Sequence, residues 1–278
     1  MKFIDLKKQY DLLKDEIDQN IQNVLTHGQY IMGPEVYKLE EKLGQFVGCK
    51  HTITCSSGTD ALLMSLMALN IEKGDYVLTS PFTYIATAEV ISFLGAVPKF
   101  IEIDSKTFNM DMHKLEEALE KTPNRFKFVM PVNIFGAPID YDHLYRLKQK
   151  HNLVIIEDAA QSFGAEFNSK KSGDLGDIGC TSFYPAKPLG CYGDGGAIFT
   201  NDDGIADKLR SIREHGMGRD RYDNIRLGIN GRMDTIQAAI LLSKLNIFKQ
   251  ELNKRSNIAL CYKNSFEGKF QVQNILNN

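Results

Sequence analysis

The residues best suited to chemistry sit in short segments that follow apolar runs. One segment is Thr181-Ser182-Phe183-Tyr184-Pro185-Ala186-Lys187-Pro188-Leu189-Gly190, which runs into Gly193-Asp194-Gly195-Gly196-Ala197. A lysine between prolines and glycines, just past a strand, is poorly suited to a solvated face, and rigid turns on both sides would fix its direction. Burial lowers an amine's proton affinity and makes it a competent nucleophile toward an aldehyde. An exposed loop lysine is the plainer alternative. A second segment, Ile155-Ile156-Glu157-Asp158-Ala159-Ala160-Gln161, ends an apolar strand in two carboxylates. A carboxylate there can pair with a protonated heterocyclic nitrogen and so make a pyridine-type cofactor an electron sink. A helix N-cap by Asp158 explains the same residues.

A third segment, Cys55-Ser56-Ser57-Gly58-Thr59-Asp60-Ala61-Leu62, is a small polar turn opening a helix. Exposed N–H groups and the helix dipole make such a turn an anion site, although ordinary N-caps look alike. The fourth, Leu227-Gly228-Ile229-Asn230-Gly231-Arg232-Met233-Asp234, follows Arg210, Arg213, Arg219, Arg221 and Arg226. Guanidinium groups bind phosphate or carboxylate in bidentate fashion. Most of these arginines read as a solvated face, with Arg232, set between Gly231 and an apolar helix, as the exception.

The pattern around these segments alternates. Apolar spacing predicts helices over 7–27, 35–47, 59–70, 84–94, 112–121, 140–150, 204–215 and about 233–263. β-rich runs fall at 76–79, 97–103, 126–130, 153–156, 178–183 and 196–200. This alternation predicts an α/β domain whose mostly parallel sheet is covered by helices on both faces, with ligands beyond the carboxyl ends of the strands. The expected units are an N-terminal helical segment over 1–27, a large α/β domain over 28–245 and the start of a small domain over 246–278.

Composition removes other classes. Lys and Arg number 33 against 35 Asp and Glu, a balance without the basic excess that nucleic-acid binding needs. No apolar run reaches the roughly 20 residues needed to cross a bilayer. The N-terminus, Met1-Lys2-Phe3-Ile4-Asp5-Leu6, turns charged at once, so no signal peptide and a cytoplasmic location are expected. Cys49, Cys55, Cys180, Cys191 and Cys261 show neither CxxC spacing nor an even count, which predicts buried thiols for most of them rather than disulfides or a metal site.

Taken together, the segments resemble the DegT/StrS family of sugar aminotransferases, a branch of the fold-type I pyridoxal-phosphate (PLP) enzymes. The resemblance runs in order from Phe3 to about Leu252. It rests on Phe3-Ile4-Asp5-Leu6, Gly58-Thr59-Asp60-Ala61-Leu62, Thr83-Tyr84-Ile85-Ala86-Thr87-Ala88, Glu157-Asp158-Ala159-Ala160-Gln161, Ser182-Phe183-Tyr184-Pro185-Ala186-Lys187, Gly193-Asp194-Gly195-Gly196-Ala197 and Asn230-Gly231-Arg232-Met233-Asp234. It implies a three-layer α/β/α large domain and a small domain that this sequence leaves short. It also implies that Lys187 holds PLP as a Schiff base and later carries a proton, and that Asp158 pairs with the ring nitrogen. Gln161 would bond the phenolic oxygen and Tyr84 would stack on the ring. Gly58, Thr59 and Ser182 would hold the phosphate, and Asn230 would reach the phosphate of a neighbouring subunit in a homodimer with shared sites.

The resemblance also separates sister reactions. Dehydratases of the family replace the lysine with histidine, and iron–sulfur members need a cysteine cluster absent here. Transamination from L-glutamate to a keto group of a nucleotide sugar is therefore expected. The runs Gly28–Val36 and Lys187–Asp203, with Arg232, resemble a subgroup acting on UDP-2-acetamido-2-deoxy-3-oxo-glucuronate for bacterial surface polysaccharides, in which Arg232 would bind the sugar carboxylate. The alternatives are a neutral UDP- or dTDP-linked 3-keto or 4-keto deoxysugar, or a catalytically weak PLP-binding or regulatory homologue.

Overall fold

The computed structural model describes residues 4–220 and 222–275; Phe3 of the opening motif and Arg221 of the basic stretch lie outside the described residues. Helix α1 (Leu6–His27) is capped by the Asp5 side chain, which accepts from Lys8 N at 3.2 Å, and stops at Gly28, whose φ of 72° suits a residue without Cβ. Helix α2 (Pro34–Val47) follows, with proline in its first turn. The chain then alternates: β1 (His51–Cys55), α3 (Gly58–Ala68), β2 (Tyr76–Thr79), α4 (Ala86–Phe93), β3 (Val97–Phe100), α5 (Met112–Lys121), β4 (Phe128–Met130), α6 (Tyr141–His151) and β5 (Val154–Asp158). A two-stranded hairpin, β6 (Glu166–Phe167) and β7 (Lys170–Lys171), precedes β8 (Ile178–Ser182), β9 (Gly196–Thr200), α7 (Asp203–Arg213) and the long α8 (Thr235–Phe266).

Seven strands form one sheet in the order β1-β9-β8-β5-β4-β2-β3. All pairs are parallel except those made by β9, which runs against both β1 and β8. The expected α/β architecture with a mostly parallel sheet is what the chain adopts. One face carries α3, α4 and α7 around Leu62, Met64, Val90, Ile91 and Leu209. The other carries α5 and α6 at one end and α2 with the first half of α8 at the other. Helix α1 lays Leu13 and Ile17 on Ile240 of α8.

Three details depart from the sequence reading. Strand β3 ends at Phe100; Ile103 makes only an isolated bridge to Met110. Strand β1, rich in threonine, and the β6–β7 hairpin are too short or too polar by type to give an apolar run. Arg213 is not on a solvated face: it is buried and pairs with Glu40 at 2.6 Å while donating to Thr54 O at 3.1 Å. Glu40 also accepts from Thr54 N and Oγ1, so this pair ties α2, β1 and α7 together. Cys55, Cys180 and Cys191 are buried thiols as expected, Cys49 is half-buried, and Cys261 is exposed. Among the described residues no helix is long and apolar enough to cross a membrane, and no His, Cys, Asp and Glu group could hold a metal.

Candidate active site

Strand alternation decides which side chains reach the carboxyl ends of β1, β5 and β8. In β5, Ile155 faces α5 and α6 while Ile156 faces α3. Glu157 follows the first and Asp158 the second, so the two adjacent carboxylates go to opposite faces. In β8, Ile178 and Cys180 face α3, and Ser182 continues their row. The site therefore forms on the α3–α4 side, where a cavity of about 490 Å³ is lined by Gly58, Thr59, Tyr84, Asp158, Gln161, Ser182 and Lys187. Seven of the nine residues singled out from the sequence meet in one space.

Each is positioned by its element. Ser57 caps α3 by accepting from Asp60 N at 3.0 Å, which leaves the N–H groups of Gly58 and Thr59 without intrahelical acceptors. Gly58 lies so close to β8 that a Cβ there would fall 2.6 Å from Ser182 Cβ. Any side chain would push the turn and Ser182 apart. Asp158 caps no helix, because the residues after it form turns; its Oδ1 instead accepts from Ala160 N at 3.1 Å. Its Oδ2 accepts from Thr87 Oγ1 at 2.8 Å, and Thr87 lies 2.8 Å from Thr83 Oγ1. Burial raises the proton affinity of Asp158, while Thr87, Ala160 N–H and Lys187 oppose the rise. Lys187 rides on the loop joining antiparallel β8 and β9, closed by Phe183 N to Gly195 O at 2.7 Å and Cys191 N to Phe183 O at 2.8 Å. Burial lowers its proton affinity, and the Asp158 charge works against that shift.

Asn230 and Arg232 do not line this cavity. Asn230 is exposed, and Arg232 is half-buried with an Nε that has no hydrogen-bond partner among the described residues. Their segment is nevertheless tied to the anion turn, because Ser56 N donates to Gly231 O at 2.9 Å. Thr87, Thr83, Tyr184 and Asp194 line the cavity without having been singled out as site residues. All four lay inside motifs already quoted, but a hydroxyl such as that of Thr87 signals nothing until its carboxylate partner is located.

Glu157 has a different task. Its Oε1 accepts from Asn133 Nδ2 at 2.8 Å and Ser172 Oγ at 2.6 Å; its Oε2 accepts from Gly173 N at 2.9 Å and Leu175 N at 3.0 Å. Burial pushes its carboxyl up to about 7 against these donors. Glu157→Gln turns one acceptor end into a donor facing donors. The expected result is a loss of about 2 kcal/mol, read as a Tm lower by roughly 4–8 °C in a thermal melt.

The donor set fits PLP. A helix N-terminus pressed against a serine suits a phosphate, a buried carboxylate suits a ring nitrogen, and a half-buried amine in the same cavity suits an aldehyde. Together with the sheet, these features define the PLP-dependent aminotransferase class. The chain belongs to the DegT/DnrJ/EryC1/StrS aminotransferase family, whose pattern matches residues 11–276. It is 52% identical over 262 residues to a UDP-2-acetamido-2-deoxy-3-oxo-D-glucuronate aminotransferase of Pseudomonas aeruginosa, covering 94% of this chain and 72% of that protein. A crystal structure of a family aminotransferase from Brucella abortus superposes with a TM-score of 0.92 at 46% identity, over 96% of this chain and 73% of that one. The structure of NtdA from Bacillus subtilis with bound cofactor PMP gives a TM-score of 0.88 at 30% identity, over 97% of this chain and 62% of that one.

Proposed function

We propose that this chain is a PLP-dependent aminotransferase that moves an amino group from L-glutamate to the 3-keto group of UDP-2-acetamido-2-deoxy-3-oxo-glucuronate. The observation that carries the reading is that Lys187 and Asp158 share one cavity with the N-terminus of α3. Gly58 and Thr59 N–H and the Ser182 hydroxyl hold the phosphate. Asp158, whose carboxylate oxygens accept from Thr87 Oγ1 and the Ala160 N–H, pairs with the ring nitrogen. Gln161 bonds the phenolic oxygen and Tyr84 covers the ring face. Bound there, PLP supplies an electron sink for loss of a proton from the carbon bearing nitrogen. Lys187 Nζ, its proton affinity lowered by burial, accepts and returns that proton. A lysine at this position favours transamination over the dehydration named for a structural neighbour, the GDP-4-keto-6-deoxymannose-3-dehydratase ColD.

The reading includes a homodimer with shared sites. Its support is that Asn230 is exposed and outside its own cavity lining, yet tied through Gly231 to the anion turn. The reading also divides the chain at about residue 245; its support is the change along α8, which is buried as far as Phe248 and exposed on most sides beyond Leu252. A cytoplasmic place in surface-polysaccharide synthesis completes the proposal.

Arg232 is assigned to the sugar carboxylate. Its unpartnered Nε and the 52% identity to the glucuronate aminotransferase support this. A charge-assisted hydrogen bond contributes about 1.5–3 kcal/mol. Arg232→Ala is therefore expected to raise KM for the uronate about 10- to 100-fold while KM for glutamate stays within about twofold. Equal effects on both substrates would remove the uronate assignment. The function itself is tested by offering 3-oxo-uronate and 4-keto-deoxysugar nucleotides side by side and following 2-oxoglutarate. Turnover of the 3-oxo-uronate is expected, and preference for a neutral keto-sugar would replace the substrate.

A further inference from the structure

Lys244, in the first half of α8, is a buried amine for which the proposed chemistry has no use. It is 2% exposed. Its Nζ makes one hydrogen bond, to Gly190 O at 2.6 Å, and lies 4.2 Å from the centre of the Tyr192 ring. Burial pushes its amine down to about 8, with the Cys191 thiol and Glu251 acting to raise it and the phenol of Tyr10 set edge-on to Tyr192. Taking a lysine out of water is costly, and an apolar side chain of like volume would serve packing as well or better. The contact therefore needs another explanation than stability.

Gly190 ends the turn that carries Lys187. Lys187 N donates to Tyr184 O at 2.8 Å, and Gly190 returns so close that a Cβ would fall 2.4 Å from Pro185 O. The return limb is also held by Cys191 N, which donates to Phe183 O at 2.8 Å, and by the burial of Leu189 and Cys191 against α2 and α8. Seven residues earlier in α8, on the same face, Gln237 Oε1 accepts from Tyr192 N at 2.9 Å. Gln237 and Lys244 thus grip the chain on either side of Cys191, and of the two it is Lys244 that hydrogen-bonds the Lys187 turn itself.

We propose that Lys244 is a positioning residue, whose ammonium, held between the Gly190 carbonyl and the Tyr192 ring, fixes the turn that aims Lys187 into the Asp158 cavity. The proposal rests on the reading of Lys187 as the cofactor-linking amine, and its test separates the two. Lys244→Met keeps the packing and removes the charge and the donor; Lys244→Gln keeps a donor for Gly190 O. Three quantities are compared with the unmodified protein: the melting midpoint, the rate at which added pyridoxal phosphate becomes fixed to the Lys187 peptide, and the pH midpoint for acylation of Lys187 by acetic anhydride without cofactor. For Lys244→Met the melting midpoint is expected to stay equal or rise. Attachment slows about tenfold, and the Lys187 midpoint moves up toward the ordinary lysine range as the loosened turn exposes it. The glutamine variant recovers part of both. Attachment and acylation indistinguishable from the unmodified protein in a folded variant would overturn the proposal; should methionine prevent folding, glutamine is read by the same outcomes. Failure of the unmodified protein to fix pyridoxal phosphate at Lys187 would instead remove the functional reading, while the acylation comparison still decides the role of Lys244.

Discussion

Replacing Lys187 by alanine is expected to abolish attachment of the cofactor and to lower transamination at least about 1000-fold. The size of the effect follows from two tasks carried by one atom. In the proposed function Lys187 Nζ serves both as the nucleophile toward the cofactor aldehyde and as the base that moves the proton, so both would be lost together. The substituted side chain lies on a loop whose closing hydrogen bonds are made by backbone groups of Phe183, Gly195 and Cys191, none of which the change removes. The fold should therefore survive, with a melting midpoint near that of the unmodified protein. The check is the loss of the long-wavelength absorbance of protein-bound cofactor, alongside 2-oxoglutarate formation. Retained turnover in the variant would mean that another amine does the work.

Asp158→Asn is the second large effect, and it separates the two tasks. Asparagine keeps the volume; its Oδ1 can accept from Ala160 N, and its Nδ2 can donate to the Thr87 hydroxyl once that hydroxyl turns its own proton toward Thr83 Oγ1, so the site retains its shape. What disappears is the negative charge that the proposed function sets opposite the ring nitrogen. Attachment to Lys187 is expected to persist, while kcat falls roughly 100- to 1000-fold because developing negative charge is no longer drawn into a protonated ring. Single-turnover measurements with glutamate alone place the loss in the first half-reaction. A variant with unimpaired kcat would show that Asp158 holds structure rather than charge. The buried position makes this a demanding site for an acid: burial raises its proton affinity, and Thr87, the Ala160 N–H and Lys187 oppose that rise.

Much of this arrangement was readable before any fold was known, and the reasons are physical. Amphipathic helices and apolar strands announce themselves because each must bury one face, which is why α5, α6 and β5 fall near their expected places. Lys187, Asp158 and Gly58 stood out because turns at strand ends must use special residues to bring backbone and side chains close. Other features depend on three-dimensional neighbours. Glu157 and Asp158 look alike in sequence, and only the twofold period of the strand sends one to a structural network and the other to the cavity. Arg213 looks like part of a charged surface run until Glu40 from a distant helix is found beside it. Lys244 falls inside the apolar stripe of α8, four residues from Ile240 and from Phe248, but its partner Gly190 O is invisible in sequence, and Thr87 looks like an ordinary helix residue. Strand β1 hides because threonine, buried here at Thr52 and Thr54, is not an apolar marker.

The account depends most on which amine receives the cofactor. Incubating the protein with pyridoxal phosphate, reducing with borohydride and mapping the modified peptide answers this directly. One stoichiometric adduct is expected on the peptide containing Lys187, lost in Lys187→Ala. A folded protein that yields no adduct, or one modified at Lys244 with Lys187 untouched, would contradict it.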